Sequence, residues 1–369
     1  MPTIMAGIYV HIPFCRSRCV YCGFYSTVGL ELRQRYTDAL CHEWELRKDE
    51  LKEPLDTIYL GGGTPSQLEC EQLVRLFDVL PSGATEITLE MNPDDATLPY
   101  VTELSQLPVN RISMGAQTFD DERLHFLHRR HTARQVAQAV NTLRETGFQN
   151  ISIDLMYGFP GETLNDWKSD IDTAISLNVE HISAYCLMIE EGTPLHQWSM
   201  ENGQWTMDEE LEREMYELLV DKLEAAGYEH YEISNFARPG CRSRHNSSYW
   251  HDVPYIGLGA AAHSYDRRSR QWNVADIHQY MESIERGIIP CECEVLDDDT
   301  RYNDRITVAL RTSDGLDLST LSDYHRNYCL REAQKYLANG LLRQDGSRLV
   351  LTRRGVFVSD MIMAGLILV

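Results

Sequence analysis

Three thiols lie within eight residues near the start of the chain, in Cys15-Arg-Ser-Arg-Cys19-Val-Tyr21-Cys22. Their spacings of four and three let them converge on one side of a loop. Thiolates are soft ligands that suit iron–sulfur clusters or zinc. A structural zinc site is normally closed by four protein ligands. Here only three cysteines are close, and Phe24 stands two residues after the last. A set with one position open is what substrate-binding metal chemistry requires. Zinc completed by His11, or thiols that hold nothing, are the alternatives. The other seven cysteines (Cys41, Cys70, Cys186, Cys241, Cys291, Cys293, Cys329) are scattered and read as small buried or surface thiols.

Two further stretches carry candidate chemistry. Gly61-Gly62-Gly63-Thr64-Pro65 follows a predicted strand. Glycines let a backbone approach a ligand closely, although a tight turn alone would explain them. His245-Asn246-Ser-Ser-Tyr249-Trp250 joins an imidazole to two flat aromatic rings. Imidazole is a good axial ligand for haem iron, and such rings cover a porphyrin face. A satisfied polar histidine beside core aromatics is the plainer reading.

These residues need elements to place them. Ile8 to Ile12, Thr57 to Leu60, Glu86 to Glu90, Arg111 to Gly115, Ile151 to Leu155 and His181 to Leu187 read as strands. Leu32 to Leu51, Leu68 to Val79, Ala133 to Thr146 and Asn165 to Leu177 read as helices. Alternation of this kind predicts an α/β fold of βαβ units that curl into a full or partial (β/α) barrel. Functional residues then belong at the C-terminal strand ends, where the motifs fall. Glu90, Gln117 and Asp154 end or follow successive strands, and Arg129 comes twelve residues after Gln117. Together they predict a convergent polar ring, with Glu90 and Asp154 suited to hydroxyls or an ammonium and Arg129 to a carboxylate.

The pattern changes near Asn235, and residues 238–248 read as a loop. We expect a barrel over residues 1–235, a connecting segment over 236–300, and a small winged-helix-like domain over 301–369. In that domain Asp345-Gly346 signals a hairpin. The apolar end, Met361 to Val369, reads as a packed terminal helix.

Composition narrows the partners. The 369 residues carry 34 basic and 56 acidic side chains, a net charge of -22. Such a chain repels phosphate backbones, which argues against general nucleic-acid binding. The densest basic run, His128 to His131, reads as a solvated helix face. The N-terminus lacks signal-peptide features, and no apolar run reaches bilayer-spanning length. Ten cysteines without an export signal suggest reduced thiols in the cytoplasm.

The cysteine motif in the first loop of a predicted βα barrel resembles the radical SAM superfamily. The resemblance implies a [4Fe–4S] cluster on Cys15, Cys19 and Cys22, S-adenosylmethionine on the fourth iron, and an electron donor to the cluster. It implies cofactor contacts from Tyr9, Tyr21, Gly62, Gly63, Thr64, Glu90, Gln117, Arg129 and Asp154. Within the superfamily, YVHIPFC, GGGTPS, SMGAQTF and DLMYGFPGET resemble the oxygen-independent coproporphyrinogen III oxidase group. The true oxidases of that group carry a fourth cysteine where Phe24 stands, and a longer N-terminal extension. Both departures match its HemW branch of haem chaperones, as does HNSSYW, which fits that branch's H-N-x-x-Y-W motif. The resemblance therefore implies haem bound through His245, Asn246, Tyr249 and Trp250. Near that motif, Arg242 and Arg244 offer positive charge for the propionates, and Cys241 is a rival ligand. It implies haem-accepting proteins as partners. The alternative is a radical-SAM oxidative decarboxylase acting on coproporphyrinogen III or a related tetrapyrrole. An RNA-modifying enzyme would suit the barrel but not the charge.

Overall fold

The computed structural model describes residues 5–202 and 207–368. Six parallel strands follow one another in chain order: β1 (Ala6–Ile12), β2 (Leu55–Gly62), β3 (Glu86–Met91), β4 (Arg111–Gln117), β5 (Ile151–Tyr157) and β6 (His181–Cys186). Each pairs in parallel with the next. Helices such as Arg33–Arg47, Cys70–Val79, Ala133–Glu145 and Leu164–Ser176 make the crossovers.

The hairpin β7 (Glu229–Glu232) and β8 (Asn235–Ala237) joins β6 through β8. On the other side, β9 (Tyr255–Leu258) pairs in parallel with β1. An antiparallel run then continues through β10 (His263–Tyr265), β11 (Ser269–Asn273) and β12 (Cys291–Val295). The result is one twelve-stranded sheet with β12 and β7 at its ends. The barrel is therefore partial. Residues 236–300, expected to connect two domains, instead supply four further strands and part of β8. The signal was weak because these strands are short. β12 is exposed along its whole length, so it carries no apolar alternation.

The six parallel strands alternate by period two. Ile8, Val10, Ile58, Leu60, Ile87, Leu89, Ile112, Met114, Ile153, Leu155, Ile182 and Ala184 join the main hydrophobic core with the helices. The intervening residues face the lumen and are mostly polar or aromatic: Tyr9 and His11, Thr57 and Tyr59, Glu86 and Glu90, Arg111 and Ser113, Ser152 and Asp154, His181 and Ser183. An interior of this kind differs from the branched aliphatic layers that fill closed eight-stranded barrels. It suits polar ligands.

Residues 302–366 build a separate core around Tyr302, Ile306, Cys329, Leu349, Ile362 and Leu366. Two helices, Asp298–Ala309 and Asp323–Ala338, accompany a three-stranded antiparallel sheet of β13 (Leu316–Asp317), β14 (Leu342–Asp345) and β15 (Arg348–Leu351). The predicted hairpin joins β14 to β15 with Asp345 opposite Arg348, and Gly346 takes the positive φ (58°) of the turn. Among the described residues no helix is long and apolar enough to cross a membrane.

Candidate functional site

The cysteine loop leaves the C-terminal end of β1 and is fixed by its backbone. Thr27 N–H donates to Pro13 O (2.7 Å) and Cys15 N–H to Thr27 O (2.9 Å). Val20, between the second and third thiols, is buried in a small cluster with Leu127, Met156, Phe159, Leu187 and Leu195. It also bonds through its backbone to Leu127 and Leu195. Cys15, Cys19 and Cys22 are free thiols, each half-buried. Burial raises the pKa of Cys15 and Cys22, so their thiolates call for a cationic centre. Phe24 lies 69% exposed, so no fourth ligand is offered at that position.

The His11-completed zinc alternative does not fit. The Tyr9 hydroxyl donates to His11 Nδ1 (3.0 Å), and His11 Nε2–H donates to Tyr25 O (3.0 Å). Among the described residues, no three His, Cys, Asp or Glu groups converge to hold a single metal ion.

The glycine turn laces β2 to this loop. Gly63 N–H donates to Ile12 O (2.9 Å) and Thr64 N–H to Phe14 O (2.8 Å). A Cβ on Gly63 would stand 2.7 Å from the Pro13 carbonyl carbon and 2.8 Å from Ile12 O. Gly62 sits at φ +104°, and its N–H donates to Glu90 Oε2 (3.2 Å). The Thr64 hydroxyl is 3.5 Å from Cys15 Sγ. These backbone N–H groups therefore bind the protein to itself, which explains the glycines without a ligand.

Above the lumen Glu90, Asp154, Arg129 and Gln117 lie near one another. Glu90 accepts from the Tyr59 hydroxyl (2.6 Å), and burial raises its pKa to about 7, with the Asp154 charge adding to the effect. Burial likewise raises Asp154 to about 6, against a hydrogen bond from Ser183. Arg129 donates from Nη2 to Asn92 Oδ1 and Gly115 O (2.6 Å each) and from Nη1 to Cys19 Sγ (3.5 Å). Its buried Nε has no partner among the described residues. The pairing of β4 with β5 slips between Gly115 and Gln117, and Gln117 is held at φ +67°. A bulge of this kind re-aims a side chain at a functional site. A Cβ on Gly115 would lie 2.7 Å from Gln117 Nε2 and 3.1 Å from Arg129 Nη2, so both side chains cover that glycine. Tyr21 lies against Cys19 and Arg129, and burial raises its pKa. Tyr9 is placed lower, stacked on Tyr59 at 6.3 Å.

Sequence reasoning missed Tyr59, Asn92 and Arg111. Arg111 is 1% exposed, and its Nε and Nη1 have no partner among the described residues. Its charge lowers the pKa of Glu90 and Asp154. The period-two placement of Thr57, Tyr59, Glu86, Glu90 and Arg111 was the available signal.

The segment at 245–250 differs from expectation. It is a helix, Arg244–Trp250, capped when Ser243 accepts from Asn246 N–H. Glu86 accepts from the Arg244 and His245 N–H groups and ties this helix to the start of β3. His245 is fully buried, with Nδ1 on the Thr57 hydroxyl and Nε2 on the Tyr249 hydroxyl (2.8 Å each). Burial lowers its pKa to about 3. In this conformation His245 is a neutral plug in the lower lumen and is closed to a haem. Asn246, Tyr249 and Trp250 are half-buried around it, with Trp250 against Tyr231. Arg242 is paired with Glu229 and Asp314, and Arg244 with Asp56.

The radical SAM superfamily model matches residues 9–174, and the HemN C-terminal domain model matches residues 296–358. A haem chaperone HemW of Bacillus subtilis is 35% identical, with 96% of this chain and 97% of the relative covered. One of Mycobacterium tuberculosis is 34% identical, covering 100% of this chain and 96% of the relative. Among solved structures, the coproporphyrinogen III oxidase HemN of Escherichia coli superposes with a TM-score of 0.84 at 22% identity, covering 99% of this chain and 91% of that one.

Proposed function

The chain belongs to the radical SAM superfamily and, within it, to the HemW-type haem chaperones; from that premise we propose that it binds haem and passes it to acceptor haemoproteins, with a [4Fe–4S] cluster and S-adenosylmethionine in the barrel mouth. The observation that carries the cofactor reading is the loop with three free thiols, beside an arginine whose buried Nε lacks a partner among the described residues. That donor set fits a cluster with one open iron.

Cys15, Cys19 and Cys22 hold the cluster. Arg129 and Gln117 accept the cofactor carboxylate, and Glu90 and Asp154 take its ammonium or ribose hydroxyls. Tyr21 and Thr64 flank the cluster loop, and Gly62 and Gly63 shape the wall. When bound, cluster and cofactor together supply reductive cleavage of the sulfonium. The protein positions them and excludes water. Its setting is the cytoplasm.

The alternative is oxidative decarboxylation of coproporphyrinogen III. It shares the fold, but exposed Phe24 occupies the place where the resemblance puts the oxidases' fourth cysteine. An anaerobic assay with reductant and S-adenosylmethionine separates the two. On the chaperone reading the protein should reconstitute to about four irons and four sulfides per chain and should make no protoporphyrinogen. Sustained turnover of coproporphyrinogen would replace the chaperone reading with the enzyme reading.

A further inference from the structure

We infer that haem sits on the inner face of the β9–β12 wing, with the His263 imidazole on its iron and Trp272 against the macrocycle. This rests on the haem-binding reading above and names its site.

A histidine that ligates haem iron needs a ring nitrogen with a free lone pair, reachable by a flat ligand and flanked by apolar or aromatic surface. The motif histidine fails the first two conditions, since His245 is buried and both its ring nitrogens are engaged. His11, His131, His181 and His325 are also buried and hydrogen-bonded. His42, His125, His128 and His278 are exposed too, but among the described residues none of them has an aromatic ring beside it, as His263 does. His263 is exposed and its ring makes no hydrogen bond among the described residues. Its ring lies 6.1 Å from Trp272, with 28° between the planes.

The sheet register explains how these side chains meet. His263 on β10 pairs with Trp272 on β11, and Tyr265 pairs with Arg270 on β11 and Tyr255 on β9. Period-two alternation puts His263, Tyr265, Arg270 and Trp272 on one face. Ser264 faces the other way, where its hydroxyl accepts from Arg47 (3.1 Å). The His263 face continues the lumen, because Tyr255 lies edge-on to Tyr249 at 4.7 Å. β10 can approach β9 this closely only past a glycine. A Cβ on Gly257 would fall 2.0 Å from His263 O.

The chemistry of that face matches an amphipathic, dianionic macrocycle. Trp272 and Tyr255 are half-buried and offer ring surface. Arg270 is a cation on that face for a propionate, and it is now paired with Asp304 of the C-terminal domain at 2.6 Å. A propionate taking Arg270 would release Asp304, so loading is coupled to the contact between the wing and that domain. The wing adjoins the strand that leads into the cluster loop, because β9 pairs with β1. His263 lies within electrostatic reach of His11, whose Nε2 holds the Tyr25 carbonyl.

The test is a haemin titration of the full-length protein, its His263→Ala variant and its His245→Ala variant, read by the Soret band and affinity. His263 is exposed, so its loss leaves the fold intact, and unchanged iron–sulfur content verifies this. We expect His263→Ala to lose the wild-type Soret position and to bind at least about tenfold more weakly. Imidazole added in solution should restore the spectrum of His263→Ala, a rescue that a packing role would not give. His245→Ala should keep the wild-type Soret position. If His263→Ala binds haemin with unchanged spectrum and affinity, the assignment is overturned while haem binding stands. If the wild type shows no saturable binding, the haem-binding reading falls and the site with it.

Discussion

Arg129 reaches the second thiol of the cluster loop, with Nη1 3.5 Å from Cys19 Sγ, while its Nη2 holds Asn92 and the Gly115 carbonyl. One buried guanidinium thus joins the cysteine loop to the ends of β3 and β4. A fixed positive charge beside a thiolate ligand stabilises the reduced cluster, and a planar fork matches a carboxylate. Arg129→Met should therefore lower the cluster's midpoint potential and weaken S-adenosylmethionine binding together. Arg129→Lys should recover the potential better than the binding. A redox titration followed by EPR, with and without cofactor, reads both. An unchanged potential in Arg129→Met would contradict the electrostatic role.

Cofactor affinity should depend on pH through two buried carboxyls. Burial raises Glu90 to about 7 and Asp154 to about 6. Both are anionic at pH 8 and increasingly protonated as pH falls through those values, so the attraction for a cationic ligand declines on acidification. Binding should be roughly tenfold weaker at pH 6 than at pH 8. Glu90→Gln should flatten most of that slope. Equal affinity at the two pH values would show that neither carboxyl meets the cation.

Gly63→Ala tests the seam between β2 and the cysteine loop. The added methyl would overlap the backbone of Ile12, Pro13 and Phe14 at 2.7 to 2.9 Å, and backbone cannot swing aside like a side chain. The variant should fold but reconstitute with well under the wild-type iron content. Full cluster loading in Gly63→Ala would show that the loop tolerates the displacement.

His245 should make the protein acid-sensitive. Its folded pKa, about 3, lies below the ordinary value of 6.5. Its stabilising contribution is therefore complete above pH 6.5 and is lost progressively as pH falls from 6.5 toward 3. At pH 5 the loss is about 2 kcal/mol. His245→Gln should lower stability at pH 8 but reduce the further loss on going to pH 5, as read from denaturant midpoints. Equal pH slopes in the two proteins would mean that other groups dominate.

The six strands were legible because short apolar runs alternate with amphipathic helical stretches, and Glu90, Gln117 and Asp154 drew notice because they fall at strand ends. The α/β fold was readable on the same grounds, and the small C-terminal domain from the hairpin signal at Asp345-Gly346. The β9–β12 wing was not. Its strands are three to five residues long, and β12 is exposed throughout. Arg-Ser-Gly composition suggested a loop at 238–248, yet Ser243 caps a helix that burial holds in place. That burial is a tertiary effect, and it closed His245 to haem. His263, by contrast, stood in a stretch where nothing local marked its exposure or its pairing with Trp272.

The central claim is that this chain carries haem as cargo rather than oxidising a porphyrinogen. Its most direct test mixes cluster-loaded, haem-loaded protein with excess apo-haemoprotein and follows the Soret bands of donor and acceptor. We predict that one haem per chain leaves the donor and appears in the acceptor. Haem that never binds saturably, or that stays on the donor while a competent acceptor remains empty, would contradict the account.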